Sequence, residues 1–420
     1  MQIKHGFAFK GEFITDEETE NLLLTPGNFA IGGGFQFKKL KYFSGSVPED
    51  YVLNEGDVIV TMTDLSKEAD TLGYSARVPN SEYRLLHNQR LGKLILKSTE
   101  TDLEFLQWVL RTQGYRNEIL SNYSGSTVKH TSPTKISAYT FNLPPISEQR
   151  EIASTLGALD DKIELNRRMS ATLEDMARSL YRSWFVDFDP VHAKMEGRQP
   201  AFMDEATATL FPERLGADGL PEGWTHGCLG DVAANPRTGV KPDQIDPSTP
   251  YIGLEHMPKR CITLGDWGSA GDIGSQKSAM SKGDFLFGKL RPYFHKVGIS
   301  PVDGICSTDI IVVRPATPAW GAFVLSVISS DEFIEHSNAG SSGTRMPRTN
   351  WKDMARYEAV IPSEEVATAF EAILAPARAR IIEGVHEAKT LASLRDSLLP
   401  KLMSGELRVG DARNHIEEVA

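Results

Sequence analysis

At 420 residues, with 40% hydrophobic and 24% charged side chains, the chain is too long for one ordinary core and has the composition of a globular protein of two or more domains. A net charge of −11 argues against wholesale coating of nucleic acid but leaves room for a local basic groove. The sequence shows no secretory leader and no apolar run of bilayer-spanning length, and its three scattered cysteines (Cys228, Cys261, Cys306) lack C-x-x-C spacing, which excludes a disulfide framework and a zinc site and points to a reducing, cytoplasmic setting.

Residues 1–143 read as a first α/β domain. Tyr51–Leu53, Asp57–Met62 and Leu91–Leu96 have the composition of strands, punctuated by Gly, Asn and Pro. A helix is predicted over about Asp102–Arg116, with Leu103, Leu106, Val109 and Leu110 as its apolar face. A polar loop, Ser124–Lys135, leads to a short strand, Tyr139–Leu143, which Pro144-Pro145 stops. Residues 144–186 then read as one long helix, capped by Ser147 with Glu148 in its first turn. Ile152, Leu156, Leu159, Ile163, Leu173, Ala177, Leu180 and Trp184 form a lengthwise packing seam, interrupted at its centre by Asn166 and Ser170.

Residues 187–223, rich in Pro, Gly and acid, read as an ordered connector with a short helix near Glu205–Leu210. A second α/β domain spans 224–362, with strands at Tyr251–Leu254, Asp284–Gly288 and Asp309–Arg314. It continues with a helix near Trp320–Ser329, a polar loop at Ala339–Thr349 and a strand at Tyr357–Ile361. A second long helix occupies 363–403, ahead of a tail at 404–420. Pro376 inside that helix predicts a kink or break near Leu374–Ala375.

The two halves repeat one plan. An offset of 218 residues (357 − 139) carries Ile152, Leu156, Leu159, Ile163, Leu173, Leu180 and Trp184 onto Phe370, Leu374, Ala377, Ile381, Leu391, Leu398 and Leu402, while Asn166 lands on Gly384 and Ala177 on Arg395, so the copies have diverged. Gly56-Asp57 before one strand matches Gly283-Asp284 before another. Two helices that cannot bury their seams alone should pair with each other. The expected fold is therefore α/β (α+β): two globular domains with small mixed or antiparallel sheets, separated by two long helices in an antiparallel coiled coil, with a pseudo-twofold internal repeat. At ~1.5 Å per residue each helix is about 55–60 Å long. The second domain opens on Trp224–Val232, a segment with no counterpart before His5-Gly6-Phe7, so the first domain is expected either to lack its opening strand or to start late.

Catalytic motifs are absent. Gly271–Ser278 has Gln276 where a phosphate loop needs glycine, and reads as a surface turn; Asp189-Pro190-Val191-His192 and Asn142-Leu143-Pro144-Pro145 both fail the adenine-methyltransferase pattern. No partner ligands are spaced to make His87 or His130 a metal site, and no metal is expected. Cations interleaved with aromatics suit nucleic acid: Lys289, Arg291, Tyr293 and Lys296 in one run, with Thr344, Arg345 and Arg348 in the polar loop. First-domain counterparts are Thr61, Thr63, Asn88, Gln89 and Arg90, with Lys129 and His130 in the other loop. Each of these also fits a solvated surface side chain.

The chain resembles the specificity subunits of type I restriction–modification enzymes. The resemblance lies in LPPISEQREIASTLGALDDKIELNRR with SLYRSWFVDFDPV, in HGFAFKGEF, TPGNFAIGGGF, TMTDLSKEADTLGY, LHNQRLG, GDFLFGKLRPYFHKV and the SSGTR loop, and in SLLPKLMSGELRV near the end. It implies two target-recognition domains, each reading half of a bipartite DNA site, and a coiled coil that sets the unread spacer. It implies a non-catalytic chain whose partners are double-stranded DNA, two modification (methyltransferase) subunits and, in the larger complex, two restriction subunits. S-adenosylmethionine, ATP and Mg2+ would sit on those partners, with no cofactor in this chain. A coiled-coil interaction scaffold without DNA binding, and a fused enzyme, remain as competing readings.

Overall fold

The computed structural model describes residues 1–38, 40–271, 273–341 and 346–419. The first half builds strands β1 (Gln2–His5), β2 (Ile14–Thr15), β3 (Asn21–Leu23), β4 (Tyr42–Phe43), β5 (Val52–Leu53), β6 (Val58–Thr61), β7 (Thr63–Asp64), β8 (Ser75–Arg77), β9 (Arg84–Leu86) and β10 (Leu91–Ile95). Helices α1 (Leu103–Val109) and α2 (Gln113–Asn122) follow, then strand β11 (Lys129–His130) and helix α3 (Pro133–Ser137). The long helix α4 runs Ile146–Phe185, and α5 (Asp189–Met195) and α6 (Glu205–Thr209) lie in the connector. The second half has β12 (Thr225–Cys228), α7 (Leu229–Val232), β13 (Ala233–Ala234), β14 (Gly239–Val240), β15 (Pro250–Ile252), β16 (Gly268–Ser269), β17 (Lys277–Met280), β18 (Phe285–Gly288), β19 (Val297–Ile299), β20 (Gly304–Cys306) and β21 (Ile310–Pro315). It ends with α8 (Gly321–Ile328), α9 (Asp331–Ala339), α10 (Trp351–Met354), β22 (Glu358–Ile361), the long helix α11 (Glu364–Ser404) and α12 (Val409–Val419).

The repeat extends to sheet topology. One four-stranded sheet has the order β1-β10-β6-β8 and its counterpart β13-β21-β18-β19. In the second sheet of each half, β4-β3-β9-β5 matches β16-β15-β20-β17, with the β3–β9 and β15–β20 pairs both parallel. Side-chain alternation explains the layering. Val58 and Val60 face Tyr115, Ile119 and Ile136 of the helices, while Ile59 joins Leu22, Leu85 and Leu91 against the other sheet. In the second half Phe285 and Phe287 face Phe323 and Phe333, while Leu286 joins Ile252, Met280 and Cys306. These strands are covered on both faces, which is why they read as unbroken apolar runs.

The chain forms two compact units, residues 1–161 with 391–420, and residues 162–390. In each, part of α4 packs antiparallel on part of α11. In the first unit Asp160 meets Arg395 at 2.5 Å and Glu148 meets Arg408 at 3.2 Å. In the second, Trp184 packs on Phe370 with ring centroids 5.4 Å apart, and Lys162 lies 3.2 Å from Glu387. Ile152, Leu156, Leu159, Leu374, Ile381, Leu391, Leu398 and Leu402 are buried, and Ile163, Leu173 and Leu180 half-buried. Asn166 is buried beside Gly384 as the offset predicts, and a methyl group built on Gly384 would stand 3.7 Å from the Asn166 Cβ.

Several local expectations are corrected. The helix predicted over 102–116 is two helices, because the Thr112 hydroxyl caps α2 by accepting from Tyr115 N–H. The long helix begins at Ile146, so Ser147 lies inside it. Helix α11 is not broken at Pro376. Lys277 and Ser278, the last residues of the stretch read as a turn, instead begin β17 between β14 and β20. Tyr139–Leu143 is not a strand, whereas its counterpart β22 is. The reason is pairing: β22 is held by β12 (Thr225–Cys228 against Ile361–Glu358), and no described segment takes that role beside 139–143.

Candidate nucleic-acid interface

In the first domain, the suggested contact residues converge on one edge. Strand β7 pairs with β11, placing Thr63 opposite His130, and Met62 N–H donates to Arg90 O, which brings the 88–90 turn alongside. Gln89, Arg90 and His130 are exposed there. The others are occupied internally. Thr61 is fully buried with its hydroxyl on Thr71 O, Thr63 is buried in its ladder, and Asn88 Oδ1 accepts from Arg90 N–H at 3.0 Å. Lys129 is buried and donates to Ser66 O at 2.5 Å and Lys67 O at 2.8 Å, holding the loop between β7 and β8. Those four residues support the surface from beneath. His87, also buried, bonds Leu91 O at 3.0 Å, and burial pulls its pKa down to about 4, so it is a neutral core residue.

In the second domain the loop between β18 and β19 carries Lys289, Arg291, Tyr293 and Lys296. Leu290 bridges to Arg348, the topological equivalent of Thr63 and His130. Arg291 lies 5.8 Å from the Phe294 ring centroid and its buried Nε has no partner, while Lys259 stands 4.1 Å over the same ring. Tyr293 is half exposed. Lys296 donates to Leu254 O at 2.5 Å, and burial, with Lys259 nearby, lowers its pKa, so it braces the loop. Arg348 is exposed and pairs with Asp309 at 3.3 Å. Thr344 and Arg345 lie outside the described residues.

Beside Lys289 opens a polar cleft of about 280 Å³ that also takes in Asn235, Arg237, Gln276, Lys277 and Thr308. Arg237 escaped the sequence reading, and Gln276 and Lys277 entered it only as part of a failed phosphate loop, because no aromatic flanks them and the fold alone brings 235–239 beside 276–279. Three cations with amide and hydroxyl side chains in one concave surface suit a phosphate backbone and base edges. Among the described residues, no group of three or more His, Cys, Asp or Glu is placed to hold a metal ion. No helix among them is long and apolar enough to cross a membrane.

Each domain is anchored to helix side chains that accept from its backbone. Gln149 of α4, fully buried, accepts from Asp102 N–H at 2.8 Å and donates to Glu100 O at 2.9 Å and Pro144 O at 2.7 Å. Arg111, at the end of α1, donates to Asp160 at 2.5 Å and to Gly32 O at 3.0 Å, and lies 4.2 Å over Trp108. Glu174 of α4 accepts from Ile262 N–H and Thr263 N–H at 3.0 Å each and from the Thr263 hydroxyl at 2.5 Å. Residues 17–175 match the type I restriction modification DNA specificity domain.

The chain is similar to type I restriction enzyme specificity subunits. It is 23% identical over 346 residues to the MjaIX specificity subunit of Methanocaldococcus jannaschii, covering 80% of this chain and 76% of that one. It is 24% identical over 368 residues to the HindI specificity subunit of Haemophilus influenzae, covering 72% and 77%. The fold is also that of the type I restriction–modification S subunit from M. genitalium, with a TM-score of 0.53 over 95% of this chain and 92% of that one, at 16% identity.

Proposed function

We propose that this chain is a non-catalytic DNA sequence-recognition subunit of a type I restriction–modification system. It reads a bipartite site in double-stranded DNA and scaffolds two methyltransferase subunits and, in the larger assembly, two restriction subunits in the cytoplasm. The observation that carries this reading is the duplicated topology, in which two domains of the same strand order are each fixed to the long helices by buried side chains. A duplicated reader suits a site of two specified halves. The helix pair would set the unread spacer, so that heptads inserted together in α4 and α11 lengthen the spacer and leave both half-sites unchanged. S-adenosylmethionine, ATP and Mg2+ belong on the partner subunits in this scheme.

Exposed Gln89, Arg90, His130, Tyr293 and Arg348, with the cleft residues Arg237, Lys277 and Lys289, form the proposed contact set. Thr344 and Arg345 stay in it on sequence grounds. The test is duplex binding by the chain together with its methyltransferase partner. Log affinity should fall linearly with log salt, and one bipartite duplex should outcompete a scrambled one. Assembly with partners but no preference among duplexes would favour an interaction scaffold instead. Methylation by this chain alone, with S-adenosylmethionine supplied, would favour a fused enzyme.

A further inference from the structure

The loops that follow the twin strands β6 and β18 share a feature that neither basic charge nor hydrogen-bonding capacity explains: each holds a large apolar surface out in solvent on a heavily braced backbone. In the first domain the residue is Leu65, 67% exposed. Asp64, before it, accepts from Ser66 N–H at 2.5 Å, Thr71 N–H at 2.7 Å and the Thr71 hydroxyl at 2.6 Å. Burial opposes charge on Asp64, but these bonds outweigh it and hold the carboxyl below the usual carboxylate range. Lys129 donates to Ser66 O and Lys67 O, and Arg116 to Ala69 O and Leu72 O. Ala69 takes a left-handed backbone, φ 56°.

In the second domain the corresponding loop presents Tyr293, 50% exposed. Arg291 and His295 on either side both take left-handed backbones, φ 51° and 50°, a strained conformation for residues with a Cβ that persists only where the surroundings impose it. Arg291 N–H donates to Pro347 O at 2.7 Å, His295 bonds Ser329 O at 2.9 Å and Lys296 bonds Leu254 O at 2.5 Å. Each loop is also joined to its polar loop, through the β7–β11 pair in one domain and the Leu290–Arg348 bridge in the other. Leu65 therefore stands on the element that carries exposed Lys67 and pairs with exposed His130, and Tyr293 on the one that carries Arg291 and pairs with Arg348.

An apolar side chain held in water on a braced loop has a natural counterpart in the base edges of a duplex, whose thymine methyls and ring faces answer the apolar surface, while Lys67, which also lies 3.9 Å from Glu68, and Arg348 are exposed cations able to meet phosphates. Bracing removes the ordering cost on binding. We infer that Leu65 and Tyr293 are specificity-determining contacts, Leu65 meeting a thymine methyl or base edge in one half-site and Tyr293 packing its ring on a base in the other. The inference rests on the DNA-reading function proposed above.

The test is selection of bound duplexes from a randomised pool by the full chain co-purified with its methyltransferase partner, using wild type, Leu65→Ala, Tyr293→Ala and a control, Ile31→Ala, which removes another exposed apolar side chain of the first domain. Unfolding midpoints should match wild type, because neither side chain is buried. Leu65→Ala should lose preference by roughly 5-fold or more at one position of one half-site, Tyr293→Ala by as much in the other half only, and Ile31→Ala nowhere. A wild-type motif that both variants reproduce unchanged overturns this inference and leaves the DNA-reading function standing. So does uniform weakening with an unchanged motif, the mark of a backbone contact, or loss of the methyltransferase partner from the complex, the mark of a protein contact. A wild type with no motif overturns the DNA-reading function and this inference with it.

Discussion

Glu174 shows how much one helix residue contributes to holding a domain. Its carboxylate satisfies two backbone N–H groups and a hydroxyl in a single turn of loop, all partly buried. Glu174→Ala should lower unfolding stability by about 2–4 kcal/mol, read as a fall in urea midpoint, because those donors lose their acceptor and water cannot fully replace it. His87 gives a pH dependence whose sign is fixed. Its folded pKa of about 4 lies below the ~6.5 of an unfolded histidine, so the unfolded chain takes up the proton first as pH falls. The stability it contributes is fully present above about pH 6.5 and is lost between there and about pH 4. Urea midpoints followed from about pH 7 to about pH 4.5 should decline, and His87→Gln should decline less steeply. The sequence carries the identity of such residues but not their burial: Lys129 and His130 are neighbours in one polar run, and only pairing with β7 turns one inward and the other out.

At the scale of elements, the seam shows what periodicity can and cannot give. The 4-and-3 spacing of apolar residues locates both long helices to within a residue or two, because that spacing is itself the physical cause of pairing. The polar positions carry more than spacing reveals. Asn166 Nδ2 donates to Glu387 at 2.9 Å and its Oδ1 accepts from Arg380 at 2.9 Å, so the break in the seam is a cross-helix polar network. Burial resists charge on Glu387, yet its bonds to Lys162 and Asn166 hold its pKa down. Gly384 opposite has ordinary contact room for a methyl group, so close helix approach does not require glycine there. Gly384→Ala should raise stability by about 0.5–1 kcal/mol through lower backbone entropy in the unfolded chain, seen as a higher melting temperature. Asp160 is the opposite case. It is the shared partner of Arg111 and Arg395, whose side chains are 2% and 15% exposed, and Asp160→Ala should cost about 3–5 kcal/mol by leaving buried Arg111 without a carboxylate and Arg395 with Asp396 alone. Neither arginine lies near Asp160 in sequence, so only the fold reveals this group. The Tyr139–Leu143 segment failed as a strand for a related reason: composition states a preference, but a strand exists only where another strand receives it.

For the whole molecule, the internal repeat is the property that sequence showed most clearly, and the structure extends it from a shared offset to matched strand order in both sheets. What varies between the copies is the surface that the common frame presents: Leu65 with His130 in one, Tyr293 with Arg348 and the Arg237–Lys277–Lys289 cleft in the other. A frame built twice with different exposed side chains is suited to reading two different half-sequences. Methylated bases mapped across the genome of a cell that expresses this chain with the proposed methyltransferase partner test that claim most directly. The account predicts one bipartite motif, two specified and unrelated half-sites flanking an unread spacer of constant length, which disappears when this chain alone is deleted. Modification that persists without the chain, or a motif of one uninterrupted block, would contradict it.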